Sequence, residues 1–303
     1  MNMKTNFRPY MTNDFLKVRD FLIQTYSKLG RPNSWGIDRW EFLEFFQEAR
    51  NSHLKRRWQD RIGLWEYSNG DLAAVACDDG DVYFLLDTFE PSDELIDELF
   101  QYAEEYLLTY ENGVSTNHLA ITEGMAGMER VAKNRGYISM EWDDIMISIY
   151  LERDFKMGIP EGFKLKAGSE VGDLSKAQGH IMAFDYEGSP HAELTRKYYG
   201  NIKNAPDYRP ELDLFILNKA DEVVSFCGIW LDEVNKVAIL EPVGTHKDYR
   251  RRGLGKAVIY EGFNRLKGMG VGKVYVGADQ PFYRSIGFEP DFKIHPWKKV
   301  KNT

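Results

Sequence analysis

The spacing of apolar residues along the chain switches repeatedly between period two and period 3.6, and the switches predict the elements. After an extended piece at 7–10, Phe15, Val18, Leu22 and Tyr26 recur at helical spacing, with Phe21 and Ile23 widening the stripe. Thr12 or Asn13 stands where the N-cap of that helix belongs. A second helix is predicted over 38–50, with Trp40, Leu43 and Phe46 on one side. Strands at 62–67, 72–77 and 82–86 are separated by Ser68-Asn69-Gly70 and Asp78-Asp79-Gly80, both turn-forming. Leu95, Ile96, Leu99, Phe100, Ala103 and Tyr106 then define a helix over 92–108. A strand at 118–121, a helix at 125–134 and a closing strand at 145–151 follow.

A connector over 155–162, with Gly158 and Pro160, leads into the same order again. A strand is predicted at 163–166, helices at 173–183 and 190–199, and strands at 212–217, 223–231 and 236–245. A helix at 253–267, a strand at 273–276, a short helix ending at Ile286 and a weak last strand at 291–295 complete it. The order β-α-α-β-β-β-α-β-α-β thus occurs twice, which reads as a diverged internal duplication with domains 1–154 and 155–303. The expected fold class is α/β with a mixed sheet in each domain. One detail supports the duplication. Ala132-Lys133-Asn134-Arg135-Gly136-Tyr137 and Tyr283-Arg284-Ser285-Ile286-Gly287-Phe288 each end a helix, with glycine at the left-handed position and an aromatic after it.

Composition narrows the picture. At 303 residues with 43% hydrophobic and 14% aromatic residues, the chain has material for two cores. No apolar run approaches the roughly 18 residues of a membrane span, and 1–8 is too polar for a signal peptide. Cys77 and Cys227 both lie in apolar, strand-like runs, so they read as small buried hydrophobes and not as a disulfide framework. A cytoplasmic protein that touches no membrane is expected. The formal charge of -8 argues against nucleic-acid binding, which needs a basic face, and fits a cationic small-molecule partner.

The chemistry-bearing stretch begins at Val237-Ala238-Ile239-Leu240-Glu241-Pro242-Val243-Gly244-Thr245. It runs through His246-Lys247-Asp248-Tyr249 into Arg250-Arg251-Arg252-Gly253-Leu254-Gly255-Lys256. A strand therefore enters a basic, glycine-containing turn and a helix starts there. The first turn of a helix has N–H groups without intrahelical partners and a partial positive charge. Gly253 and Gly255 let a pyrophosphate approach the backbone, and three arginines add permanent charge. Taken alone, the same residues also describe an ordinary strand-to-helix turn with a solvated basic face. Isolated His191 and His246 give no metal-ligand spacing, and no metal is expected.

This stretch resembles the acetyl-CoA signature of the GNAT acyltransferase superfamily, Arg or Gln-x-x-Gly-x-Gly or Ala, matched by Arg250, Gly253 and Gly255. The family's second marker, a tyrosine four residues before Gly-Phe, is matched by Tyr283 before Gly287-Phe288. The resemblance is close over 212–290; elsewhere only the order of elements agrees. It implies two tandem GNAT-like folds and an N-acetyltransferase that uses acetyl-CoA as co-substrate. Backbone groups of Val243, Gly244 and Thr245 would bind the pantetheine arm, and Arg250 to Lys256, with Arg251, Arg252 and Leu254 between, would hold the pyrophosphate. Tyr283 would protonate the departing thiolate, a sensible task for a phenol; the plainer reading is a packed aromatic beside Phe282.

Glu241 is the candidate general base that takes a proton from an attacking amine, with a solvated or structural carboxylate as the alternative. Alternation puts Glu241, Val243 and Thr245 on one face of a regular strand, although Pro242 suggests a bulge or an edge. The family's asparagine after the next strand has no match in Gly277-Ala278-Asp279-Gln280-Pro281, so that contact is not carried over to Asp279.

Repeat one lacks these features. Asp93 and Glu94 occupy the start of its equivalent helix, no glycine or arginine precedes them, and Ala132 stands where Tyr283 stands. It reads as a degenerate domain that supports repeat two or shapes its acceptor cleft, an arrangement similar to that of mycothiol synthase-like proteins. Asp185 and Glu187, flanking Tyr186 between the first two helices of repeat two, could hold a cationic amine; a solvated loop with Ser189 capping the next helix is the alternative. The acceptor expected is the primary amine of a small molecule or peptide. The rival functions are a non-catalytic acyl-CoA sensor and aminoacyl transfer from charged tRNA, the latter disfavoured by the acidic charge. The oligomeric state is left open.

Overall fold

The computed structural model describes residues 4–48, 57–111, 114–156 and 158–301. In repeat one, β1 (Thr5–Pro9) precedes α1 (Phe15–Leu29) and α2 (Ile37–Phe42), then β2 (Gly63–Tyr67), β3 (Leu72–Asp79) and β4 (Asp81–Leu86). α3 (Asp93–Tyr106), β5 (Thr109–Glu111), β6 (Val114–Thr122), α4 (Ala126–Asn134), β7 (Ile138–Ser139) and β8 (Asp144–Tyr150) follow. Repeat two runs β9 (Lys164–Ala167), α5 (Asp173–Ala183), α6 (Pro190–Tyr198), β10 (Asp213–Leu217), β11 (Val223–Asp232), β12 (Val237–Thr245), α7 (Leu254–Gly268), β13 (Lys273–Val276), α8 (Pro281–Ile286) and β14 (Glu289–Lys301). The predicted order is present twice, with β5 and β7 as short additions.

Local chemistry explains most boundaries. Ser92 caps α3 by accepting the Leu95 N–H at 3.2 Å. α1 starts differently from expectation. A short 3₁₀ turn over Thr12–Asp14 leads into it, and the Asp14 carboxylate, not Thr12 or Asn13, accepts the Met11 N–H at 2.8 Å. Past Phe42 the second helix widens into a π-helical stretch, Leu43–Glu48; the predicted end at 49–50 lies outside the described residues. The two matching helix ends share one geometry. Gly136 and Gly287 both have positive φ, and the Tyr137 and Phe288 N–H groups donate to the carbonyls of Ala132 at 3.0 Å and Tyr283 at 3.1 Å.

The strands form one sheet in the order β1-β2-β3-β4-β6-β14-β8-β13-β12-β11-β10-β9, with β5 and β7 pairing at its side. The last strand is far longer than the weak 291–295 segment the sequence suggests, and it does not close its own repeat. β14 pairs antiparallel with β6 of repeat one, from Ile294 opposite Thr122 to Lys301 opposite Ser115. Its first half pairs with β8, and β8 in turn pairs with β13 of repeat two, Lys273 opposite Tyr150 and Val276 opposite Ile147. Each repeat therefore lends its closing strand to the other.

Helices α3 and α4 cover one end of the sheet through Leu99, Phe100, Met128 and Ala132, all fully buried. α7 and α8 cover the other end, with Val258, Phe263 and Ile286 against β8 and β10–β13. A third cluster joins the repeats: Trp35, Trp40 and Phe46 of repeat one share a core with Tyr199, Trp230, Tyr275 and Phe292 of repeat two. Polar contacts tie the same interface. The Tyr26 and Tyr275 hydroxyls lie 3.1 Å apart, Asn235 donates to the Ile23 carbonyl at 2.9 Å, and Arg19 Nε donates to Asp207 at 2.6 Å.

Phe292 sits on the exchanged strand and is 2% exposed. Truncating it to alanine is expected to cost about 3–5 kcal/mol, as for other buried aromatic residues. Unfolding in urea, followed by both tryptophan fluorescence and circular dichroism, should give one coincident transition shifted to lower denaturant. A variant in which one repeat melts and the other persists would contradict the shared sheet.

Candidate functional site

The parallel ladder between β12 and β13 is short, running only from Val237 opposite Lys273 to Ile239 opposite Tyr275. Beyond Ile239, β12 continues to Thr245 on β11 alone, with Cys227 opposite Val243 and Ser225 opposite Thr245. The strands part there, and a V-shaped slot opens along Val243, Gly244 and Thr245. The bulge anticipated from Pro242 is present: the β11–β12 register slips between Cys227 and Ile229, opposite Glu241 and Pro242.

At the outer end of the slot, α7 begins at Leu254 with Gly253 as N-cap in the left-handed conformation, φ 80°. A Cβ on Gly255 would stand 3.2 Å from the Phe282 ring and 3.3 Å from Thr245 Oγ1, so glycine keeps the slot's floor narrow. The first-turn N–H groups of α7 lack intrahelical acceptors and carry the positive end of the helix dipole, properties compatible with an anion at residues 250–256. The arginines divide their work. Arg250 donates to the carbonyls of Thr245 at 3.1 Å and Ala183 at 3.0 Å, bracing the turn against α5. Arg252 donates to the Asp248 carbonyl at 3.1 Å and stacks over Tyr249. Arg251 is exposed at φ 65°, and Lys256 lies over the Tyr260 ring.

The inner end of the slot opens into a cleft of about 410 Å³ between the repeats. Glu241, Val243, Tyr275 and Tyr283 line it from repeat two, and Trp35, Asp38, Arg39 and Phe42 from repeat one. The two sequence-predicted chemical groups, Glu241 and Tyr283, thus share one cavity despite lying 42 positions apart in the chain. Glu241 has solvent-exposed surface in the cleft, whose protein walls enclose it in part. That enclosure, reinforced by the negative charge of Asp38, pushes its carboxyl up to about 7. Tyr283 is buried, and burial together with the nearby Cys227 and Glu241 holds its phenol far above the usual range, firmly protonated.

Other expectations fall differently. Of the loop between α5 and α6, Phe184 reaches the cleft, whereas Asp185 and Glu187 are not among its lining residues. Asp185 lies 3.8 Å from Lys247, and the Ser189 hydroxyl donates to the Tyr186 carbonyl at 2.6 Å instead of accepting from α6. Asp279 forms a two-point ion pair with Arg284. No cluster of three or more metal-ligating side chains occurs among the described residues.

Repeat one contributes residues that sequence reasoning passed over: Trp35, Asp38, Arg39 and Phe42. Trp35 lies between the first two helices and Asp38, Arg39 and Phe42 on the second, next to the stretch equivalent to the loop between the first two helices of repeat two. The slot of repeat one, between the ends of β4 and β6, is filled by the chain itself. Asn33 donates to the Leu86 carbonyl, Ser34 Oγ lies 2.6 Å from Thr122 Oγ1, and Arg31 stacks between Phe89 and Phe292.

Residues 179–288 match the family model described as Acetyltransferase (GNAT) family. No curated protein matches the chain in sequence. Among solved structures, the fold is similar to a tandem GNAT protein from the clavulanic acid biosynthesis pathway, described without AcCoA, at 14% identity and a TM-score of 0.67, covering 99% of each chain. It is also similar to a GCN5-related N-acetyltransferase from Sphaerobacter thermophilus (17% identity, TM-score 0.62, 98% of this chain and 95% of that one). A GNAT-family acetyltransferase from Colwellia psychrerythraea matches at 13% identity and a TM-score of 0.58, over 97% and 99% of the two chains. At these identities the structural likeness speaks for the fold alone. The second half of the chain thus carries the match to the GNAT family model, and the chain as a whole has the fold of two GNAT-like domains in tandem.

Proposed function

We propose that the chain is an N-acetyltransferase that moves the acetyl group of acetyl-CoA to the primary amine of a small molecule, using one active site in repeat two. The observation that carries this reading is the joint opening of a backbone slot and an enclosed cleft beside Glu241 and Tyr283. Acetyl-CoA would supply an acyl thioester, its pantetheine arm along Val243–Thr245 and its pyrophosphate at 250–256. Glu241 would accept a proton from the ammonium group of the acceptor and so free the nitrogen lone pair. One bond forms, nitrogen to acyl carbon, and one breaks, acyl carbon to sulfur. Tyr283 Oη would give its proton to the departing thiolate and recover one from the new amide nitrogen. A phenol kept protonated and a carboxylate titrating near 7 are matched to these two tasks.

We further propose 1–154 and 155–303 as the two evolutionary units. The first would hold no cofactor, because the chain's own Asn33 and Ser34 take the polar groups that would receive one. Calorimetric titration with acetyl-CoA should therefore give one site per chain in wild type, lost in Gly255→Glu, where bulk and negative charge meet the pyrophosphate position. Two sites would overturn the account of repeat one; no binding would sink the enzyme reading. Binding without turnover across a broad amine screen would instead leave an acyl-CoA sensor.

The protonation state of Glu241 sets the pH dependence. Its basic form is the active one, so kcat/KM should climb as pH rises through about 7 and fall below it. In Glu241→Gln the rate should drop by about 10²–10⁴ and that limb should vanish. Tyr283→Phe should lower kcat by about 10² or more with acetyl-CoA affinity kept, because only the proton donor is removed. An unchanged kcat in that variant would return Tyr283 to packing.

A further inference from the structure

The inter-repeat cleft holds three carboxyl groups and one cation: Asp38, Asp79 and Glu241 with Arg39. Arg39 is already committed. Its Nε and terminal nitrogen donate to Asp79 Oδ2 at 2.9 and 2.6 Å, and its guanidinium lies 5.0 Å from the Trp35 ring and 4.8 Å from the Tyr83 ring. With that pair set aside, Asp38 and Glu241, one from each repeat, are the two cleft carboxyls with no ion pair among the described residues, and the Arg39 charge offsets their burial only in part.

Asp38 is 9% exposed, and its Oδ1 has no hydrogen-bond partner among the described residues. Backbone N–H groups of Asp38 and Arg39 favour its charged form, but burial outweighs them and pushes the carboxyl up to about 6. A buried polar atom of this kind is costly unless something completes it. Asp38 is also the charged neighbour that most raises Glu241, so the two carboxyls act on the same space. Around that space stand flat or apolar side chains: Trp35, Phe42, Phe184, Tyr275 and Met146.

We propose that Asp38, supplied by repeat one, is the residue that binds the ammonium group of the acceptor, and that the acceptor is a small primary amine with a flat, apolar body. The ammonium docks between the two carboxyls, where Asp38 holds and orients it and Glu241 discharges it. The aromatic walls take the body, and an ammonium beside them gains further from their ring faces. Repeat one thus acts as the specificity half of the site. The inference rests on the acetyl-transfer reading for the role of Glu241, but not for the binding itself.

The test is calorimetry on the full chain with free CoA present, so that no turnover occurs. The probes are phenethylamine and tryptamine against their neutral counterparts phenethyl alcohol and tryptophol. In wild type the amines should bind at least tenfold more tightly than the alcohols. Asp38→Asn should erase that preference by weakening amine binding tenfold or more, leaving alcohol binding, acetyl-CoA affinity and thermal midpoint as they were. An absent amine preference in wild type overturns the proposal without any variant. So does unchanged amine binding in a folded Asp38→Asn. Failure of acetyl-CoA to bind, with the amine preference intact, would count against the acetyl-transfer reading and not against Asp38.

Discussion

A strand in the middle of a sheet has to satisfy its backbone on both edges, and at the centre of this sheet neither repeat does so with its own chain. β14 leaves repeat two and lies between β6 and β8; β8 leaves repeat one and lies between β14 and β13. The exchange replaces the modest, polar contact that usually joins two domains with hydrogen-bonded ladders and a common core. Trp35, Trp40, Trp230, Tyr275 and Phe292 can belong to a single cluster only because the two halves are registered by those ladders. The width of the cleft between the repeats follows from the same register, since its walls are the start of α2 on one side and β12, β13 and α8 on the other.

The two repeats make opposite use of one topological feature. Where parallel strands part, carbonyl and N–H groups lose their ladder partners and must find others. In repeat one the segment after α1 folds back to provide them, with Asn33 on Leu86 and Ser34 on Thr122, and Arg31 wedged between two rings closes the gap. In repeat two the corresponding edge of Val243–Thr245 stays open to a slot that ends at a helix N-terminus. The residues that plug the first slot continue directly into Trp35 and Asp38. Filling one site and furnishing the wall of the other are therefore tasks of the same short stretch of chain.

Much of the fold was legible in the sequence because local period and local chemistry dictate it. α5 and β13 fall on the predicted residues, and the two Gly-aromatic helix ends proved geometrically alike. The exchange of closing strands was not legible. Which edge a strand joins depends on partners far away in sequence, and Pro290 and Pro296 break the alternation that would have announced a thirteen-residue β14. The glycine turn that starts α7 could be read from the sequence, whereas the cleft could not. Asp38 at the start of a helix reads as an ordinary partner of the helix dipole. Only the fold shows that it faces a carboxylate about two hundred residues away. Asp185 and Glu187 show the converse: an acidic loop in the expected place that is absent from the lining of the cavity, as the solvated-loop alternative has it.

The electrostatics of the cleft then follow from what Arg39 cannot do. Held by Asp79 and lying against the rings of Trp35 and Tyr83, it is paired with Asp79 and lowers the proton affinity of Asp38 and Glu241 only through its charge, less than burial raises it. Burial raises the proton affinity of both carboxyls, Asp38 raises that of Glu241 further, and Arg39 offsets the two effects only in part, so a positive group entering the cleft would stabilise their charged forms. An ammonium would do this in a way a neutral molecule of the same shape cannot, and the proposed selectivity of the cleft rests on that incompletely compensated charge. Burial, with the charge of Asp38 added, pushes Glu241 up to about 7, where a carboxylate is basic enough to accept a proton and still ionised often enough to be ready for one. On the proposed reading, recognition of a cationic acceptor and activation of its nitrogen are two results of one arrangement, and half of that arrangement comes from the repeat whose own slot is closed.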